Sequence, residues 1–145
     1  MAAEGWKAQV AVNFGVNYVA VIVAAVVALV IGFAYYAPQV MGNRWMAYLG
    51  TTRAQLGNPA PTGMLAGIVA SLINAWVLAV LALNLGGKTF TDGAMVGLIC
   101  WLGFMATITA AEVAFLKQPW GLWVLNNIHN VIVQILMGAI VAGLH

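Results

Sequence analysis

The sequence predicts an all-α membrane protein, in which four transmembrane helices form an antiparallel bundle and a short interfacial helix lies between the first and second. Hydrophobic residues make up 64% of the 145 residues and charged residues only 6%, with a mean hydropathy of +1.00, unlike soluble domains. Long apolar stretches alternate with glycine, proline and basic residues. At about 20 residues per span, residues 1–145 form a single membrane domain.

The first predicted span covers residues 16–37 and ends before Pro38, because proline cannot continue a helix. Small residues recur at every fourth position, at Ala20, Ala24, Ala28 and Gly32. Such a row lets a second helix approach closely in lipid. Before this span, Trp6 and Lys7 predict an anchor at the membrane interface.

The connection after Pro38 mixes apolar and basic residues over Met41 to Leu49 without reaching spanning length, which predicts an interfacial helix. Gly57, Asn58 and Pro59 then interrupt the pattern. The second predicted span covers residues 62–85 and carries a longer row of small residues, at Gly63, Gly67, Ser71, Ala75 and Ala79. We expect this row to form a close helix contact.

The third predicted span covers residues 93–116, with a row of small residues at Gly103, Thr107 and Ala111. The fourth covers residues 120–144. Because short turns join the second, third and fourth spans, we expect them to be antiparallel neighbours. Both termini then lie on the same side, and the positive-inside rule favours the outside, since Arg44, Arg53 and Lys117 outnumber Lys7 and Lys88.

The fourth span is unusual because amide and imidazole groups lie well inside it. Side chains four apart share a helix face, so one row contains Asn126, Asn130, Gln134, Gly138 and Ala142. Polar groups without partners in hydrocarbon cost several kcal/mol each. These side chains should therefore face other helices or a wet cavity.

Three short motifs are distinctive: Gly32 to Pro38, the segment Gly42 to Met46, and Asn127 to Asn130 followed by Met137 to Ile140. With them, most of the chain resembles a family of small bacterial integral membrane proteins, the domain of unknown function seventeen-sixty-one. The resemblance implies four helices and a bacterial cytoplasmic (inner) membrane. It implies no established activity, and Tyr35-Tyr36 departs from the Trp-Tyr pair usual in the family.

Glu112 is the acid inside a predicted span, and an intramembrane ionisable residue indicates a functional site by default. At about 1.5 Å per residue, its depth matches the first turns of the fourth helix, which makes Asn126 and His129 its expected partners. The predicted binding site gathers polar side chains of one half of the bundle: Glu112, His129, Asn126, Asn127, Asn130, Gln134, Asn74, Tyr35 and Tyr36. The competing interpretation is that the amides only bond neighbouring helices and the tyrosines belong to an aromatic belt.

Composition narrows the range of functions. With five basic and three acidic residues, the chain lacks the charge for a nucleic-acid surface. The single cysteine, Cys100, excludes an internal disulfide, a CxxC redox pair and a cysteine metal cluster. The sequence contains no metal-binding HExxH motif, no catalytic triad set and no glycine-rich phosphate loop, and one buried histidine per chain does not supply two haem ligands. We therefore predict no catalytic residue, cofactor or metal.

Two hypotheses remain. The first is a homo-oligomeric transporter or channel for protons or a small polar solute, in which the small-residue rows provide faces for self-association and His129 exchanges protons near neutral pH. The alternative is a non-catalytic accessory protein that binds a lipid, a quinone or a partner subunit, with membrane lipid as a partner in either case.

Overall fold

The structure, a computed structural model, describes residues 11–145; the anchor predicted around Trp6 and Lys7 lies outside the described residues. This part of the chain is all-α. Its helices are, in order, α1 (Tyr18–Tyr35), a π-helical turn (Pro38–Gly42), α2 (Asn43–Tyr48), α3 (Arg53–Leu56), α4 (Pro61–Asn84), α5 (Phe90–Cys100), a π-helical segment (Trp101–Ala106), α6 (Thr107–Phe115) and α7 (Trp120–Gly143).

Within residues 11–145, four helices are long and apolar enough to cross a membrane: Tyr18–Tyr35, Pro61–Asn84, Phe90–Phe115 and Trp120–Gly143. Each lies within three residues of its predicted bounds. The third differs most, since it starts at Phe90 and not at residue 93. Thr89 and Asp92 form a capping box there, which bonds the free backbone N–H groups of the first turn.

Helix α7 is the centre of the bundle and packs against α1, α4 and α5. The shared core consists mainly of small and aliphatic side chains: Val21, Ala24, Ala25, Ala28, Ala75, Leu78, Ala79, Val133, Met137 and Val141. In the row predicted on α1, Ala20, Ala24 and Ala28 are buried. Ala24 and Ala75 are 0% exposed, as the close approach of α1 and α4 requires.

Helices α5 and α7 approach each other so closely that their backbones touch. A Cβ at Gly93 would overlap the Gly138 carbonyl, and one at Gly97 would overlap the Gln134 carbonyl. The row predicted at Gly103, Thr107 and Ala111 does not make this contact, because all three residues are exposed. Small residues lie on two faces of the third spanning helix, and the face toward α7 is the one that carries Gly93 and Gly97.

Helix α4 has two dissimilar halves. In its second half Leu78 and Ala79 are buried in the core. In its first half no atom lies within 4 Å of a Cβ built at Gly63 or Gly67. The small-residue row therefore packs only over its second half, and its first half opens onto a cavity.

Candidate functional site

An open cavity of about 1250 Å³ lies among the first half of α4, the second half of α1, the first half of α7, and α6. The short helices α2 and α3 contribute to its walls. Its polar lining comprises Tyr36, Arg53, Asn58, Ser71, Thr109, Glu112, Gln118, Asn126, Asn127, His129 and Asn130. Most of the site residues that we predicted from sequence thus line a single cavity.

The cavity reaches the middle of the bundle. At about 1.5 Å per residue, Asn130 lies about 15 Å along α7 from Trp120, and Ser71 lies equally far along α4 from Pro61. This is about half the thickness of a bilayer's hydrocarbon core. Beyond this depth the buried residues Val133, Met137 and Leu78 close the bundle.

The imidazole of His129 packs against the rings of both Tyr35 and Tyr36, with centroid distances of 5.4 and 5.1 Å, and the two tyrosine rings contact each other at 5.2 Å. Its Nδ1 is 3.2 Å from Oδ1 of Asn130, and because an amide oxygen only accepts, Nδ1 carries the hydrogen in this contact. The other nitrogen, Nε2, is buried without a hydrogen-bond partner among residues 11–145. It faces Gly32, where a Cβ would lie 3.5 Å away.

Both tyrosine hydroxyls bond to α7. Tyr36 donates to Oδ1 of Asn126 at 2.9 Å, and Tyr35 donates to the Leu125 carbonyl at 2.8 Å. The turn after α1 supports this arrangement, because Gly42 packs so tightly that a Cβ there would overlap the Tyr36 carbonyl. Trp45, on α2, then lies 5.9 Å from the Tyr36 ring.

Asn127 differs from its neighbours because every polar atom of its side chain has a partner. Its Oδ1 accepts from Trp101 Nε1 at 3.0 Å, and its Nδ2 donates to Thr109 Oγ1 and to the Trp123 carbonyl at 3.2 and 3.1 Å. Thr109 also accepts from Trp123 Nε1 at 3.1 Å. Asn127 thus bonds α7 to the third spanning helix at two points, the first residue of the π-helical segment and a residue just after it.

Gln134 and Asn74 form a separate cluster, deeper than the cavity. Nε2 of Gln134 donates to Oδ1 of Asn74 at 3.3 Å and to Sδ of Met105 at 2.8 Å. Gln134 is 4% exposed, and neither amide lines the cavity. Their contacts match the alternative interpretation, in which the amides bond neighbouring helices.

Glu112 lines the cavity but is exposed. The partners expected for it bond elsewhere, since His129 pairs with Asn130 and Asn126 accepts from Tyr36. Its carboxylate is therefore available to the cavity. No group of three or more His, Cys, Asp or Glu in residues 11–145 could hold a metal ion.

Five polar residues of the lining were not among the site residues predicted from sequence: Arg53, Asn58, Ser71, Thr109 and Gln118. Arg53 lies in a connection that shows no helical periodicity, although Thr52 and Gln55 form a capping box and their S/T-x-x-E/Q spacing could have indicated a short helix there. Thr109 could have been found as the polar position eight residues after Trp101 on the same helix face.

The long apolar helices and their half-buried polar cavity indicate a multi-pass α-helical membrane protein. The chain belongs to the family described as Protein of unknown function (DUF1761), which matches residues 19–142. No curated protein and no solved structure matches the chain.

Proposed function

We propose that this protein is a transporter or channel that admits protons or a small polar solute to the cavity from one side of a bacterial inner membrane. One observation carries the proposal: polar side chains line the cavity from Glu112 near the end of α6 to His129 and Asn130 at mid-span. Polar groups at this depth require water or a polar ligand. A cavity filled by acyl chains would leave the amide nitrogens of Asn126 and Asn130 without partners, because only their oxygen atoms are bonded within residues 11–145.

The membrane arrangement forms part of the proposal. The bundle is antiparallel, and both termini lie on the same side. The contact between the Asn17 side chain and the Leu144 carbonyl supports this, as does the bond from Asn13 N–H to Asn84 Oδ1 at 2.9 Å. Helix α2 lies at the interface on the opposite side, with Arg44 exposed. The excess of one basic residue on that side favours termini outside.

A homo-oligomer is also proposed. The row on α1 is covered within the bundle, and the first half of the row on α4 faces the cavity, so neither is free for the self-association we expected. Support comes instead from the cavity, whose wall at Gly63 and Gly67 is open. A second copy would complete that wall, as closed symmetric assemblies do.

Proton flux into proteoliposomes tests the transport function, with a pH-sensitive dye inside the vesicles and an imposed membrane potential. We expect flux that depends on pH and that is lost in Glu112→Gln, because the amide of glutamine cannot carry a proton as a carboxylate does. Lys117→Gln is the matched control, since Lys117 is exposed and does not line the cavity. Unchanged pH-dependent flux in Glu112→Gln would reject the proposal.

The accessory function stays as the second candidate because one wall of the cavity is apolar, with Leu29, Phe33, Leu56 and Met64 among its residues. This wall fits a lipid or quinone tail. A membrane-impermeant thiol reagent distinguishes the two functions in a Cys100→Ala background. If the cavity holds water, Ser71→Cys reacts and the exposed, non-lining Ile73→Cys does not; equal protection of both would favour an apolar occupant.

A further inference from the structure

Two opposite charges line the cavity. Among the charged side chains of residues 11–145, only Arg53 and Glu112 belong to its lining. Arg44 and Lys117 are close to them in the chain, yet they are not part of the lining. A cavity lined by one guanidinium and one carboxylate has no net charge and offers one group of each sign to a ligand.

Each charge sits on an element with a defined position. Arg53 is the first residue of α3, whose capping box bonds the backbone N–H of Gln55 to Oγ1 of Thr52 at 3.3 Å. Glu112 follows Thr109 by one helical turn on α6, and Thr109 is bonded to Trp123 and Asn127 of α7. The buried neighbour Val113 packs the same turn into the bundle.

In the side-chain amides of Asn126 and Asn130, the oxygen atoms are bonded to residues 11–145 and the nitrogen atoms are not. Oδ1 of Asn126 accepts from Tyr36, and Oδ1 of Asn130 contacts Nδ1 of His129. Their amide nitrogens make no such bond within the described residues, so they present N–H donors to the cavity. Donors of this kind bind anionic oxygens. Aromatic rings that line the cavity, at Tyr36, Trp45 and Trp123, provide faces that attract an ammonium group.

We propose that the cavity binds a zwitterion, with its ammonium group at Glu112 and its anionic group at Arg53. The inference rests on the proposed function, because it names the substrate class of the same site. Two sources carry this chemistry: a free amino acid and the headgroup of an ethanolamine phospholipid. The cavity, at about 1250 Å³, is larger than the usual ligand pocket and holds either one.

The test uses calorimetric binding to the full-length protein in detergent, with β-alanine as the free zwitterion. Propylamine and propionate are the matched analogues that carry one of its two charges. We expect β-alanine to bind about tenfold more tightly than either analogue, since each lost charge-assisted hydrogen bond removes about that factor. In a second arm, native mass spectrometry compares retention of phosphatidylethanolamine and phosphatidylglycerol. Free β-alanine binding identifies an amino acid site, and selective retention of phosphatidylethanolamine identifies a headgroup site.

Variants test which charged residue binds each charge of the zwitterion. We expect Glu112→Gln and Arg53→Gln each to weaken binding of the zwitterion about tenfold, whereas Arg44→Gln and Lys117→Gln leave it unchanged. Because all four side chains are exposed, none of the substitutions should disturb folding. The inference is overturned if propylamine binds as well as β-alanine and phosphatidylglycerol as well as phosphatidylethanolamine, or if Glu112→Gln binds zwitterions normally. Zwitterion binding without flux would reject transport alone, and proton flux without zwitterion binding would reject this inference alone.

Discussion

Two consecutive asparagines show how one residue type takes two roles in this protein. Asn127 is 4% exposed, and its amide bonds Trp101, Thr109 and the Trp123 carbonyl. Asn126, one position earlier, accepts from Tyr36 and lines the cavity. Consecutive positions differ by about 100° around a helix, so one amide joins helices and its neighbour is available to a ligand.

This difference predicts that the same substitution destabilises the protein more at Asn127 than at Asn126. Asn127→Ala leaves the Trp101 Nε1 without its acceptor in the bundle, and a buried unsatisfied group costs about 1–3 kcal/mol. Asn126→Ala removes a bond beside a cavity that water can enter, so its cost should be about 1 kcal/mol or less. Thermal unfolding in detergent measures both, with Asn126→Ala as the matched control. An equal loss of stability in the two variants would contradict the structural role of Asn127.

At the scale of helices, contact between backbones replaces side-chain packing where α5 meets α7. Gly93 and Gly97 face Gly138 and the Gln134 carbonyl. In lipid, where apolar side chains gain little by leaving their surroundings, such close approach is a main source of helix association. Directly after this contact the third spanning helix widens into the π-helical segment Trp101–Ala106. The segment then places Thr109 where Asn127 and Trp123 can bond it.

The contact predicts that substitution by alanine destabilises the protein at Gly97 and not at Gly103, although both lie on the third spanning helix. Gly97→Ala places a methyl group inside contact distance of the Gln134 carbonyl, and forcing the helices apart should cost about 1–3 kcal/mol or more. Gly103→Ala meets open space and should not destabilise the protein, since alanine is the better helix former. Unfolding by a denaturing detergent, followed by circular dichroism, compares the two. Similar stability of both variants would contradict the close contact.

The helices could be predicted from sequence because apolar stretches of spanning length and their proline and glycine boundaries are local features. Asn126, His129 and Asn130 could be predicted as site residues for a related reason, since polar groups within an apolar helix are also a local feature. The sequence prediction selected Gly103 over Gly97 because small residues lie on both faces, and only the partner helix determines which face is covered. Arg53 was missed because it and Glu112 line one cavity although they are distant in the chain, a tertiary relation that no local pattern indicates.

At the scale of the whole molecule, the bundle is closed at one end and open at the other. Near the end of α7, Val141 and Ala142 are buried, and the cavity that they line has a volume of about 150 Å³. Toward Trp120, the first half of α4 stands away from its neighbours, and the large cavity fills the gap. The molecule is therefore accessible from one side in this conformation. A complete path across the membrane requires either a rearrangement of the core or a further subunit.

The proposed homo-oligomer makes this asymmetry testable. Met64 on α4 lines the open cavity, whereas Met95 on α5 does not; the two are similarly exposed, at 47% and 51%. If a second copy completes the cavity wall, Met64→Cys in a Cys100→Ala background should form a disulfide between copies under mild oxidation, and Met95→Cys should not. A native mass spectrum of the unmodified protein should show a closed oligomer, because symmetric interfaces saturate at a fixed subunit number. A bare monomer, together with equal lack of cross-linking at both positions, would mean that lipid covers the open side and that the cavity acts within one chain.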